Sequence, residues 1–245
     1  MVIARNLDRV FAGGLAALEA LNFEIARGAF VAIVGPSGCG KSTLLRIVAG
    51  LLEPTGGELV VKRNADAAGR EAVPAFVFQD PTLLPWRRVD GNTSLPLELQ
   101  RLPRAEIRQR VADALQLVGL EHYAHLFPRQ LSGGMRMRAS IARALVTSPE
   151  LLLMDEPFAA LDEISRQHLN EEILSLWRRN RWTCLFVTHS VHEAVFLSQR
   201  VLVMSPRPGR IVADIDVPFD YPRHHELRTA QEFSLIAAEI SASLR

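Results

Sequence analysis

Apolar and polar positions alternate over residues 2–11 and again over 21–25, punctuated by Gly13-Gly14 and Arg27-Gly28. That period-two pattern predicts half-exposed antiparallel strands at the start of the chain. The pattern then changes: residues 30–34, 75–78 and 151–154 are unbroken apolar runs of strand length, and 183–188 reads as a further strand. Runs of this kind belong to parallel strands covered on both faces. Helical periodicity fills the intervals. Residues 44–49 lead into a helix, and 96–118 turns helical, with Pro103 early, Ile107, Val111, Leu115 and Val118 as the apolar stripe, and Gly119 as the stop. Two more stripes follow, Met137, Ile141 and Leu145, then Leu169, Ile173, Leu176 and Trp177. Residues 58–61 predict a short strand, 62–70 a polar loop, 200–204 and 210–215 a hairpin around 206–209, and 221–245 a mixed tail with a helical end. Strands alternating with helices make the chain α/β.

Composition narrows the field without deciding it. A chain of 245 residues with 48% hydrophobic content can bury a full core in one large domain or two small ones. Its 28 Lys+Arg against 27 Asp+Glu give a net charge of +1, too balanced for a nucleic-acid binder. Cys39 and Cys184 offer neither a disulfide framework nor a zinc spacing, which suits a reducing cytosol. The N-terminus lacks the pattern of a signal peptide, and no run approaches the roughly 18 apolar residues of a membrane span. A soluble protein, or one peripheral to a membrane, is expected.

The chemistry concentrates in the turn after the strand at 30–34. Gly35-Pro36-Ser37-Gly38-Cys39-Gly40-Lys41-Ser42-Thr43 fits the phosphate-binding pattern G-x-x-x-x-G-K-[ST]. Backbone N–H groups converge on a phosphate only where Cβ atoms do not block them, and the following helix adds unpaired N–H groups with partial positive charge. Lys41 then reaches the β- and γ-phosphates, and Ser42 offers its hydroxyl to Mg²⁺. Cys39 fits as a small side chain in a tight loop.

Other candidates stand where strands end. Gln79 follows the strand at 75–78, Asp155 and Glu156 follow 151–154, and His189 follows 183–188, the edge where open α/β sheets place ligand groups. Asp155 can hold a magnesium ion directly or through water. Glu156 can orient, or take a proton from, an attacking water, and His189 can meet the γ-phosphate. Ser132, before Gly133 and Gly134, is a good helix N-cap and marks a second anion-receptive helix end. Phe11 reads equally as a base-stacking ring or as a core aromatic. Leu83, Leu84 and Trp86, between prolines, are apolar in a loop and either pack locally or await a partner. His122 and His125 lack the further ligands a metal site needs.

With the phosphate loop, Gln79, Leu131-Ser132-Gly133-Gly134-Met135, Leu153-Met154-Asp155-Glu156-Pro157, Leu161-Asp162 and His189 in that order, the chain resembles the ATP-binding subunit of an ABC transporter over nearly its whole length. The resemblance implies a P-loop NTPase (RecA-like) core with an antiparallel β subdomain, at 1–84 and 150–220. A helical signature subdomain at 85–149 and a tail at 221–245 complete it. It implies ATP and Mg²⁺ as cofactors, with Ser42, Gln79 and Asp155 toward the metal and Asp162 and Gly133 among the nucleotide-facing residues. Two copies close head to tail, so that Ser132 and Gly134 of one meet the γ-phosphate held by Lys41 of the other. Phe11 falls where the family stacks adenine, and residues 83–86 fall at the contact with the permease. The implied position is the cytoplasmic face of the membrane, with an extracytoplasmic solute-binding protein as an indirect partner.

Within the family the chain is most similar to the nitrate, sulfonate and taurine importer group, on residues 83–86, 131–136, 206–210 and 227–233. Met135 agrees with that group, whereas Met137 replaces a more usual glutamine. Rival readings are a soluble ABC ATPase acting on nucleic acid, ribosome or a regulatory partner, and a small-molecule kinase. The single phosphate loop and the lack of a heptad run speak against the former.

Overall fold

The computed structural model describes residues 1–62 and 73–244, so most of the loop read at 62–70 lies outside the described residues. Strands β1 (Val2–Val10), β2 (Ala16–Ile25) and β4 (Gly56–Val61) form an antiparallel sheet in the order β2-β1-β4. Alternation sends Val2, Ala4, Leu7, Leu21, Phe23 and Ile25 inward. Strand β2 begins earlier than the alternation predicts. Register shifts along the β1–β2 pair, with Ala20 at φ 48°, carry residues 16–20 through an irregular stretch that breaks the period.

The second sheet runs β5 (Ala75–Val77), β6 (Leu151–Asp155), β7 (Thr183–Val187), β3 (Phe30–Val34), β8 (Arg200–Met204), β9 (Ile211–Asp216). Neighbouring pairs are parallel except β8–β9, the predicted hairpin. Successive residues of β3 feed opposite faces. Val31 and Ile33 join Leu44, Leu153, Leu202 and the antiparallel sheet, while Phe30, Ala32 and Val34 join Met154, Phe186 and Trp177. Trp177, fully buried on helix α5 (Glu163–Asn180), meets Phe30 edge-on at 5.7 Å and donates its indole N–H to Trp182 O at 2.9 Å. Burying so large a ring with its one donor satisfied fixes α5 against the sheet.

Three helices lie between β5 and β6: α2 (Val89–Leu99), α3 (Arg104–Leu117) and α4 (Gly133–Leu145). The sequence predicted helix only from residue 96, yet α2 starts at Val89 and Pro96 lies inside it. Its polar positions concealed it. Asn92, fully buried, donates to Leu84 O, Arg87 O and Arg88 O at 3.0–3.1 Å and accepts the Leu84 N–H at 2.7 Å, and the Thr93 hydroxyl donates to Val89 O, one turn back in the helix, at 2.9 Å. Hydrogen bonding, rather than an apolar stripe, makes this face compatible with burial.

Helix α1 (Lys41–Val48) follows β3, α6 (Val191–Leu197) follows β7, and α7 (Gln231–Ser243) closes the tail through buried Phe233 and Ile240. The Arg223 guanidinium donates to the carbonyls of Val195, Phe196 and Ser198, satisfying the open end of α6.

Candidate active site

Parallel strands adjacent in the order β6-β7-β3 deliver their carboxyl ends side by side, which places Gly35, Asp155 and His189 on one edge. The phosphate loop needs glycine for space as well as for conformation. At Gly40, φ is 109° and a Cβ would stand 2.6 Å from Leu18 Cδ2 and 2.8 Å from Ala17 O; at Gly35 it would stand 2.8 Å from Cys39 Sγ. Leu44 N–H bonds Gly40 O at 2.9 Å, so α1 starts directly from the loop. Lys41, only 5% exposed, donates from Nζ to Gly35 O at 2.7 Å and Pro36 O at 3.0 Å, which holds the ammonium across the loop.

Ser42 Oγ donates to Asp155 Oδ1 at 2.9 Å across the α1–β6 gap. Asp155 is 8% exposed, and burial raises its pKa above the ordinary 3.8 while the Ser42 hydroxyl pulls the other way. Because the folded pKa is raised, this carboxyl contributes most to stability below its ordinary value, and that contribution is lost as pH climbs through the folded value. Asp155→Asn is therefore expected to melt higher than the parent without nucleotide at neutral pH. The gap should narrow as pH falls toward 4, by thermal denaturation across that range; an unchanged gap would contradict the burial argument.

Glu156 sits at φ 46°, a left-handed conformation unusual for glutamate, with its N–H bonded to Val187 O at 2.9 Å. The turn sends its carboxylate to 3.8 Å from Lys41 Nζ and 3.0 Å from His189 Nδ1. His189 is exposed, but its neighbour Thr188 is fixed: its N–H bonds Ile33 O at 3.2 Å and its hydroxyl bonds Glu193. Burial raises the pKa of Glu193, with Arg166 Nε 3.6 Å away. Lys41, Ser42, Asp155, Glu156 and His189 thus form one connected cluster.

The remaining candidates stand apart from it. Gln79 is exposed just beyond β5, the strand beside β6. Arg143 of α4 donates to Pro81 O at 2.8 Å and Thr82 O at 2.9 Å, tying the loop after Gln79 to that helix. At the other end of α4, Ser132 Oγ accepts the Met135 N–H at 3.2 Å, the expected cap, and Ser132 and Gly133 are exposed. Asp162 caps α5 by accepting the Ser165 N–H at 2.9 Å, and that bond holds its carboxyl below the ordinary range. Gly133 faces Leu161, so these two helix starts adjoin. Among the described residues no hydrogen bond joins Ser132 or Gly134 to the phosphate loop of the same chain. Phe11 follows β1 with the Arg9 guanidinium 4.9 Å over its ring. Sequence reasoning missed Arg143, Glu193 and Arg207, whose bonds reach backbone or residues on other elements.

A phosphate loop at the end of a central parallel strand, with a serine–aspartate pair behind it, defines a P-loop nucleotide-binding protein. The chain belongs to the ABC transporter family: the family model described as ABC transporter matches residues 18–159. It is 46% identical over 224 residues to a putative ATP-binding protein of Brucella abortus, covering 91% of this chain and 86% of that one. It is 42% identical over 234 residues to the taurine import ATP-binding protein of Rhizobium johnstonii, covering 93% and 88%. With the aliphatic sulfonates import ATP-binding protein of Bacillus anthracis it shares 39% over 230 residues, again 93% and 88%. Among solved structures, the dimeric ATP-binding cassette MJ0796 in a post-hydrolysis state with ADP and Pi superposes with a TM-score of 0.77 at 31% identity, covering 90% of this chain and all (100%) of that one. The cbiO1 protein of Clostridium perfringens, part of the cbiONQ transporter complex, gives 0.79 at 26% identity, with 98% of each chain covered. The protein is an ATP-hydrolysing ABC transporter ATP-binding subunit with the P-loop NTPase fold.

Proposed function

We propose that this subunit powers import of a small anion such as nitrate, a sulfonate or taurine, working as one of two identical copies beneath a membrane permease. The observation that carries the catalytic part is the Glu156 carboxylate held between Lys41 and His189 at the mouth of the phosphate loop. In this reading Gly35, Pro36, Ser37, Gly38, Cys39, Gly40, Lys41, Ser42 and Thr43 cradle the phosphates. Glu156 orients a water on the γ-phosphate and takes its proton, and His189 holds both Glu156 and the γ-phosphate. Phe11 stacks on adenine.

The Ser42 hydroxyl beside the Asp155 carboxylate is a hard oxygen set of the kind Mg²⁺ prefers, and the buried acid at its back fits a cation there. Ser42, Asp155 and Gln79 would hold Mg²⁺, which supplies charge neutralisation at the β- and γ-phosphates.

Dimer closure is supported by the exposed cap at Ser132 and by dimeric relatives. Ser132, Gly133 and Gly134 of one copy complete the γ-phosphate site of the other, beside Asp162, so ATP lends its binding energy to closure. We assign residues 1–84 and 150–220 to the nucleotide-binding core, 85–149 to the signature subdomain and 221–245 to the tail. The permease docks at 83–86, where Trp86 is 72% exposed on a loop pinned from beneath by Asn92. No helix among the described residues is long and apolar enough to cross a membrane, so attachment runs through that contact. Importer relatives named for taurine and aliphatic sulfonates support the solute class, with a solute-binding protein outside the cytoplasmic face.

Expressed beside its permease subunits, the protein is expected to sediment with membranes, and the captured complex to retain a small anion on its binding protein. A protein that stays in the soluble fraction under those conditions contradicts the transporter assignment.

A further inference from the structure

A phosphate loop aims its N–H groups inward by turning carbonyls outward, and an outward carbonyl needs a donor. Lys41 serves the carbonyls of Gly35 and Pro36 from within the motif. The Gly38 carbonyl is served from far along the chain. Arg207, in the turn between β8 and β9, donates to it from Nε at 3.1 Å and from Nη2 at 2.8 Å.

The turn is built to keep the guanidinium there. At Gly209 a Cβ would stand 2.2 Å from Cys39 O, so the backbone of the turn lies directly against the loop and only glycine fits. Gly209 N–H donates to Ala17 O, and its carbonyl accepts the Glu19 N–H, both at 3.0 Å, which sews the turn to β2. Ser205 Oγ accepts the Arg210 N–H at 3.0 Å from across the turn. Gly38 itself has φ 76°, the left-handed region that favours glycine.

We propose that Arg207 is a positioning residue for the phosphate loop. Its guanidinium pins the Gly38 carbonyl outward and adds a fixed positive charge behind the loop, favouring the bound triphosphate without touching the attacking water. The inference rests on the nucleotide assignment of the loop. Arg207 bonds the Gly38 carbonyl and neither Glu156 nor His189, so it acts on nucleotide affinity rather than on the chemical step.

The test compares the parent protein with Arg207→Lys, Arg207→Ala and Lys41→Ala by calorimetric titration with Mg-ATP and by steady-state hydrolysis. A partly exposed charge-assisted pair of hydrogen bonds predicts about a tenfold rise in Kd and KM for Arg207→Ala, with kcat held within about twofold. Arg207→Lys should recover part of the affinity, and methylguanidinium added to Arg207→Ala should lower its Kd. If Arg207→Ala does not fold, Arg207→Gln, which keeps one donor and loses the charge, carries the comparison with Arg207→Lys. An unchanged Kd in Arg207→Ala, or a loss confined to kcat, overturns the proposal while weak binding by Lys41→Ala keeps the loop assignment intact. A parent protein that fails to bind Mg-ATP overturns the loop assignment itself.

Discussion

Glu156→Gln is expected to bind ATP within about twofold of the parent and to lose about a hundred- to a thousandfold in turnover, the range that removal of a positioned base commands. The amide matches the carboxylate in shape, so it can keep contact with His189 and leave the phosphate loop untouched. What it loses is the capacity to accept a proton from water. The geometry makes this residue hard to replace from nearby. Asp155, its neighbour, is committed to Ser42 at 2.9 Å and buried behind α1, while the left-handed φ of 46° turns Glu156 alone toward Lys41 and His189. Phosphate release under saturating ATP measures the loss; near-parental hydrolysis would remove Glu156 from the role of base. Release into water without any acceptor also separates an ATPase from a kinase.

Lys41→Ala is expected to act on the other term, weakening ATP binding itself by about thirty- to a hundredfold, as loss of a charged donor to phosphate does. In the parent the ammonium already stands over the loop, bonded to Gly35 O and Pro36 O, at 5% exposure. Little further ordering is needed for it to meet a phosphate, so its contribution falls on affinity. Alanine also leaves the Glu156 carboxylate without the cation 3.8 Å away, which should depress whatever turnover remains. Titration with a fluorescent ATP analogue measures the first effect, and parental affinity would contradict the loop assignment.

Both substitutions sit on features that the chain announces plainly. Residues 151–154 are apolar without a break, so the sequence itself states a covered strand and a strand-end acid pair, and Asp155 does end β6. Ser132 was legible as a cap because the residue type and the glycines after it state the backbone need directly. Helix α2 was not legible in full, since Asn92, Thr93 and Ser94 look like loop residues until their partners are known. Buried polar groups obey hydrogen-bond geometry, and that geometry is written in three dimensions. Arg207 was invisible as a contact for the same reason: its acceptor is a backbone carbonyl 169 positions away. Likewise the left-handed φ that aims Glu156 leaves no trace in residue type.

The most direct measurement is the molar mass of Glu156→Gln by light scattering during size-exclusion chromatography, with and without Mg-ATP. Two copies gripping nucleotide between the Lys41 loop of one and the Ser132 helix end of the other predict a doubling of mass on adding ATP, reversed by Ser132→Arg. A mass that stays monomeric at saturating ATP contradicts the shared site.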